Sequence, residues 1–418
     1  RGSPSTPAAA IANRTMFAAR KDYDLILFGV TGFTGRLAAE HLSKTEPNLR
    51  WAACARNEAK AKKVLEEVKA TPSIEIADLI CDDEEQETKL RNVVKKTKVC
   101  ATCAGPFEKY GKTLAKLCAE EGVHYCDITG ESDFVRHVIK EHDATARKSG
   151  ACLVPHCGND CVPWDLTVLK LHEEAVKRNL KLTQVDTYTE LPPSFAASGG
   201  TVATAQYQLG KARSSSKPDF DPLVTDAKGV KSTYATTNKS PKSDAPCPEF
   251  NGRSAGPWIM GPVMANCVRR SNALLGYASS FTYSERALRE EKFSDRMSQK
   301  LFTYKVGAAI LSPTLFGGLV PKPGEGPSRE NMEAGWLRVH GRAECDDGTY
   351  LTSTYFVDED TGYLGTAKML VACAVLLSKG ANKTSGVVTP AVGLGSALLE
   401  RLEKTTPASF EVSEGTAP

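Results

Sequence analysis

The chain has 418 residues, 41% of them apolar and 25% charged, and a net charge of +3. That suits an ordinary globular protein of two domains or one elaborate one, and the lack of any basic run argues against a nucleic-acid binder. The 13 cysteines are scattered singly, and Cys100-x-x-Cys103 has no second pair to complete a zinc site, so no metal is expected and the thiols read as small core residues in a reducing compartment.

The first 22 residues read as a tail. RGSPSTPAAAIANRTMFAAR lacks Asp and Glu and is rich in Ala, Ser, Thr and Arg. That fits the remains of a transit peptide from a mitochondrion or plastid, and it equally fits a disordered tail or an expression remnant. From Tyr23 short apolar runs alternate with helical patterns. Strands are expected at Asp24–Phe28, Arg50–Ala55, Ile74–Ile80, Val99–Ala104, Val123–Asp127 and Ala151–Val154. Helices are expected at Thr34–Leu42, Glu58–Lys69, Glu84–Lys96, Lys112–Glu120 and Phe134–Lys148. This rhythm predicts an α/β fold, a Rossmann-type doubly wound parallel sheet over 23–158.

After Gly158 the rhythm changes. Leu182–Leu191 alternates like a strand, and 210–256 is polar, reading as long loops and irregular edge strands. Val306–Val320 is an apolar patch broken by Pro313. Trp336–Cys345 and Tyr350–Val357 read as a hairpin around Asp346-Asp347-Gly348. Thr361–Ser378 and Ser396–Lys404 read as helices. No apolar run of about 18 residues is evident, so no membrane-spanning helix is expected.

Gly29, Gly32 and Gly35 follow the first strand and open the first helix. The first glycine allows the tight turn, the second lets backbone approach a pyrophosphate, and the third lets the helix pack on the sheet. Free N–H groups at the helix start would face the anion, with the Thr31 and Thr34 hydroxyls beside them. The second strand ends in Arg56 rather than an acid. An Arg suits a 2′-phosphate, and Lys60 adds charge one turn on, which favours NADP over NAD. A solvated surface Arg is the plain alternative. Asp82 falls where an adenine-edge contact would lie, or caps the next helix.

Across the expected strand-order switch, Cys103, Ala104, Gly105, Pro106 and Phe107 lead to Tyr110. Later strands deliver Asp127, Glu131, His156, Gly158, Asn159 and Asp160. Ionisable groups at the carboxyl ends of several parallel strands converge on one crevice, although each could merely cap the helix after it.

Taken together, GVTGFTGR (29–36), CAGPFEKYG (103–111), GVHYCDITGE (122–131), GNDCVPWDL (158–166), SGGT (198–201), PGEGPS (323–328), DTGYLGTAKML (360–370) and GVVTPAVGLGSALLERL (386–402) resemble the saccharopine dehydrogenase-like oxidoreductases, and the related trans-acting enoyl reductases. The resemblance implies an NAD(P)-binding Rossmann domain over 23–158, a second α/β domain inserted over 159–360, and C-terminal helices over 361–418 that return to the first. By motif, Gly29, Thr31, Gly32, Phe33, Thr34 and Gly35 would hold the pyrophosphate. Arg56 would meet the adenosine ribose, and Cys103 to Phe107 would line the nicotinamide side. Two departures stand out. Cys161 replaces the Ser usual in the sixth-strand motif, and the apolar segment before PGEGPS is short, which weakens the implied lipid-droplet or membrane contact through Val306–Val320.

The expected activity is NADP-dependent hydride transfer to or from an imine, an amine or an unsaturated acyl compound, with Glu131, Asp160 and Tyr110 as proton carriers. The alternative is a catalytically weak NADP-binding subunit at a membrane surface or in a complex, a homodimer included. Either way a place inside the cell is expected, in an organelle or on a membrane or lipid droplet.

Overall fold

The computed structural model describes residues 21–192, 198, 201, 204, 207, 232–258, 260–289, 322 and 324–415. Nearly all of the expected tail, 210–231 of the polar segment, and Val306–Val320 lie outside the described residues.

The first sheet is all parallel. Its strands are β1 (Leu25–Phe28), β2 (Trp51–Ala55), β3 (Ser73–Ile76), β4 (Val99–Thr102), β5 (His124–Asp127), β6 (Cys152–Val154) and, from far down the chain, β14 (Gly386–Val387). They lie in the order β14-β6-β5-β4-β1-β2-β3. The chain winds outward from β1 to β3, returns to β4 and winds the other way. The order therefore reverses between β1 and β4, which is where a doubly wound sheet opens a crevice at its carboxyl edge.

Both faces of β1 are covered, as a central parallel strand requires. Leu25 and Leu27 enter a core shared with α1 (Phe33–Thr45) and α2 (Glu58–Glu67). Ile26 and Phe28 enter another, shared with α3 (Glu84–Lys95), α5 (Lys112–Glu121) and α6 (Ser132–Ser149). A one-turn helix, α4 (Phe107–Tyr110), precedes α5. β3 ends four residues before the expected boundary. Asp78 Oδ1 accepts the Ile80 N–H at 3.0 Å, and this side-chain turn takes the chain out of the sheet.

The second sheet is mixed. It comprises β7 (Leu182–Glu190), β8 (Ala235–Asn238), β9 (Ala245–Cys247), β10 (Arg253–Gly256), β11 (Ser280–Leu288), β12 (Leu337–Cys345), β13 (Tyr350–Val357) and β15 (Ala408–Gly415). The order is β15-β13-β12-β7-β11-β10-β9, with β8 on β11. β12 and β13 form the expected antiparallel hairpin. α7 (Val162–Lys177) and α8 (Gly261–Leu275) pack against this sheet, and the short helix α9 (Arg329–Glu333) leads into β12.

From Thr361 the chain returns to the first sheet through a π-helical turn (Thr361–Gly365) and α10 (Thr366–Ser378), which lies against α1, β1, β4 and β5. Contrary to the sequence reading, Thr361–Ser378 is long and apolar enough to cross a bilayer, but 83% of that window is buried inside the protein. Two helices, α11 (Pro390–Leu394) and α12 (Ser396–Thr405), follow β14. The expected helices over 361–418 are followed by a strand. Residues Ala408–Gly415 pair antiparallel with the whole of β13, so the last described segment belongs to the second sheet.

Candidate active site

The glycine turn is fixed by backbone crowding. Gly29 has φ +85°, and a Cβ there would lie 3.0 Å from the Ala104 nitrogen, so the loops after β1 and β4 meet at this residue. A Cβ on Gly35 would lie 2.1 Å from the Gly29 carbonyl oxygen. Gly32 is the N-cap of α1 and carries no capping side chain. By contrast, Asn57 caps α2 and Asp83 caps α3. The first amides of α1 are thus left to a cleft of about 920 Å³ lined by Gly29, Thr31, Gly32, Phe33 and Thr34.

Arg56 and Lys60 line one end of the cleft. Arg56 reaches toward Asp78, Nη1 to Oδ2 3.9 Å, with its side chain 68% exposed. Asp82 is not part of the lining, because β3 stops early. Ala77, Asp78 and Leu79 take that place, while the Asp82 N–H is bonded to Gln86 Oε1 at 2.8 Å. Gly35 and Pro106 support the walls without lining them.

Cys103, Ala104, Gly105, Phe107 and Tyr110 line the other end, with Glu131, His156 and Asp160. Glu131 does not fit the role of proton carrier. Its Oε1 accepts the Phe107 N–H at 2.6 Å and its Oε2 the Glu108 N–H at 2.9 Å. Both oxygens are committed to the start of α4, and the residue acts as a buried cap. Asp127 has a similar task, since its Oδ1 accepts the N–H groups of Thr129 (2.9 Å) and His156 (3.2 Å).

Asp160 differs. Burial, reinforced by Cys161 and opposed by His156, pushes its carboxyl up to about 7. An acid that shares its proton near neutrality can give or take one. His156 stands beside it with φ +69°, its Nδ1–H donating to the Thr129 carbonyl at 2.7 Å. Burial opposes its charge, but Cys161, the Thr129 carbonyl and Asp127 outweigh that and raise it to about 9.

Several lining residues come from parts of the chain that the strand rhythm does not reach. Asp360 accepts the N–H groups of Gly362, Tyr363 and Leu364, which sets the π-helical turn. The turn points Tyr363 at the glycine loop, edge-on to Phe33 with ring centroids 5.4 Å apart. The Tyr363 hydroxyl accepts the Ser198 N–H at 2.5 Å. Thr366 Oγ1 accepts the Asn159 N–H at 3.0 Å. The signal for this turn in the sequence is the run Asp360-Thr361-Gly362-Tyr363. A strap crosses the loop from outside. A Cβ on Gly326 would lie 2.6 Å from the Phe33 ring, and Arg329 bonds Glu40 at 3.0 Å.

The residues fit a dinucleotide phosphorylated at the 2′ position. Uncapped amides stand midway, cations stand at one end, and Asn159 Oδ1 is buried toward the other with no hydrogen-bond partner among the described residues.

Comparison with known proteins points the same way. Residues 25–154 match the family described as the saccharopine dehydrogenase NADP binding domain. A trans-acting enoyl reductase of Mycobacterium ulcerans is 31% identical, aligned over 93% of this chain and 98% of its own. One from Mycobacterium leprae is 30% identical over 92% and 96%. Apo saccharopine dehydrogenase (L-Glu forming) from Saccharomyces cerevisiae superposes with a TM-score of 0.57 over 94% of this chain and 99% of its own, at 12% identity, a likeness of fold.

Proposed function

Because the chain belongs to the saccharopine dehydrogenase-like family of oxidoreductases, we propose that it is an NADP-dependent reductase of an unsaturated acyl substrate. The acyl reading is favoured over an imine because the relatives at 30–31% identity are enoyl reductases matched along nearly their whole length. The observation that carries the proposal is one cleft running from Arg56 past the uncapped start of α1 to Asp160.

In this reading the amides of the Gly29–Gly35 turn bind the diphosphate, and Arg56 and Lys60 take the 2′-phosphate. When bound, NADPH would supply the hydride. Gly105 gives backbone access to the reacting face, and Tyr110 walls it. Asp160, protonated near neutrality, gives its proton to the carbon next to the acyl carbonyl, and His156 holds its place beside it.

The test is a fluorescence titration with NADPH and NADH, followed by NADPH turnover on 2-enoyl thioesters and on cyclic imines. The wild type should prefer NADPH and Arg56→Asp should lose that preference. Equal affinity for both nucleotides in the wild type refutes the 2′-phosphate assignment. NADPH binding without turnover on either class returns the chain to a nucleotide-binding subunit, and turnover on imines alone overturns the acyl reading.

A further inference from the structure

Behind the π-helical turn lies a second pocket of about 110 Å³, room for several heavy atoms. It adjoins the main cleft, because Asn159 and Gly362 line both. Its apolar walls are Trp164 of α7, Leu191 and Pro192 just past β7, Trp258 ahead of α8, and Trp336 and Leu337 at the start of β12. Three of the four tryptophans in the chain therefore meet here.

The walls are fixed, and nearly every polar group in them is spoken for. A Cβ on Gly335 would lie 2.6 Å from the Asp360 nitrogen, and the Asp360 N–H donates to the Met332 carbonyl at 2.7 Å. The Asp360 carboxylate accepts the amides of the turn. The Asn159 N–H is bonded to Thr366, and Trp164 Nε1–H donates to Thr189 Oγ1 at 3.2 Å. Two buried atoms are left over. Trp258 Nε1 and Asn159 Oδ1 have no hydrogen-bond partner among the described residues. Buried polar atoms are normally paired, so two exceptions on residues lining one small pocket point to a missing partner.

The two atoms are of opposite kind. An indole N–H only donates, and an amide oxygen only accepts. A hydroxyl satisfies both at once, accepting from Trp258 and donating to Asn159. A plain alkyl branch leaves both unpaired. A carboxylate would face the Asn159 oxygen, with the Asp360 carboxylate close behind. The Asn159 oxygen keeps a second lone pair for a group in the main cleft.

We propose that this pocket is the subsite for a substrate hydroxyl carried one carbon away from the double bond, and that Trp258 is the residue that selects it. Asn159 is the chain neighbour of Asp160, which puts the pocket beside the reacting carbons. The inference rests on the acyl reductase reading and narrows its substrate to hydroxylated 2-enoyl thioesters.

The test compares NADPH turnover of 4-hydroxybut-2-enoyl and 2-(hydroxymethyl)but-2-enoyl thioesters with that of the plain but-2-enoyl thioester. One hydroxylated compound should exceed the plain one in kcat/KM by at least about tenfold. Trp258→Phe keeps the aromatic wall and removes the donor, so it should cut that preference below about threefold and leave turnover of the plain thioester within about twofold. The same comparison is made for binding, with the corresponding amides titrated into the NADP-loaded protein and read by tryptophan emission. Turnover with no preference for either hydroxyl overturns the inference and leaves the reductase reading standing. Preferential binding of a hydroxylated amide without any turnover does the reverse. Equal binding of all three amides, or a Trp258→Phe protein that keeps the full preference, also overturns the inference, since the pocket then holds water only. If Trp258→Phe fails to fold, the wild-type ratios decide.

Discussion

Replacing Gly35 with alanine asks whether the third glycine serves the turn or the ligand. The added Cβ falls 2.1 Å from the Gly29 oxygen, 2.7 Å from the Gly29 carbonyl carbon and 3.0 Å from Val30 Cα. All three are backbone atoms, so no side chain can swing aside. Restoring a separation of about 3.5 Å forces the turn to open by more than about 1 Å. It has little room to do so, because Gly29 already sits against Ala104. Overpacking of this kind costs about 1–3 kcal/mol, and rigid neighbours place Gly35→Ala toward the upper end. Gly32 is the control. A Cβ there meets only the Gly29 oxygen, at 3.3 Å, and otherwise faces the cleft. Gly32→Ala should keep its stability to within about 0.5 kcal/mol and lose about tenfold or more in NADPH affinity, about 1.4 kcal/mol. Urea unfolding followed by circular dichroism measures the first quantity and NADPH fluorescence the second. A Gly35→Ala protein with the wild-type unfolding midpoint would refute the steric reasoning, as would a Gly32→Ala protein that binds NADPH normally.

Reduction of a 2-enoyl thioester should decline above about pH 7 as Asp160 loses its proton, and Asp160→Asn should abolish that limb of the pH profile. An unchanged limb removes Asp160 from the chemistry. Glu131→Gln turns an N–H group toward a backbone N–H and should cost about 1–3 kcal/mol in urea unfolding, yet keep the limb, since the side chain only caps α4. Glu190 on β7 is held down to about 2 by the His340 hydrogen bond and then by Arg253 and Arg338. A carboxyl depressed by folding stabilises the protein above its unfolded value of about 4.3 and loses that contribution as pH falls toward 2. Glu190→Gln should therefore cost roughly 2 kcal/mol at pH 7 and little at the acid end of this window. Equal losses at both pH values would contradict the assignment.

The first sheet was legible because its strands are short apolar runs separated by amphipathic helices, and because three glycines mark the first turn. Boundaries failed where side-chain bonds override the pattern, as at Asp78, whose turn put Asp82 in the wrong place. α7 left no amphipathic stripe to read. Trp164, Leu166, Thr167, Val168 and Leu169 are all buried, since the helix lies between the second sheet on one side and α8, α11 and α12 on the others. β15 was missed because its side chains are mostly half-exposed or exposed, and its pairing with β13 is a partnership across the fold that local pattern does not encode. In the site, the glycine turn and Arg56 could be read from spacing and residue type. Glu131 could not, because a cap and a proton donor are the same residue until the backbone N–H groups are located. Tyr363 lies far along the chain from the loop it meets and is brought there by the return of α10.

The return of the chain ties the two sheets together. β14 forms one border of the first sheet and β15 one border of the second, and they follow one another closely along the chain. A proteolytic nick just before Gly386 that released this stretch would bare β6 and β13 at once, so a single cut there would harm both halves together.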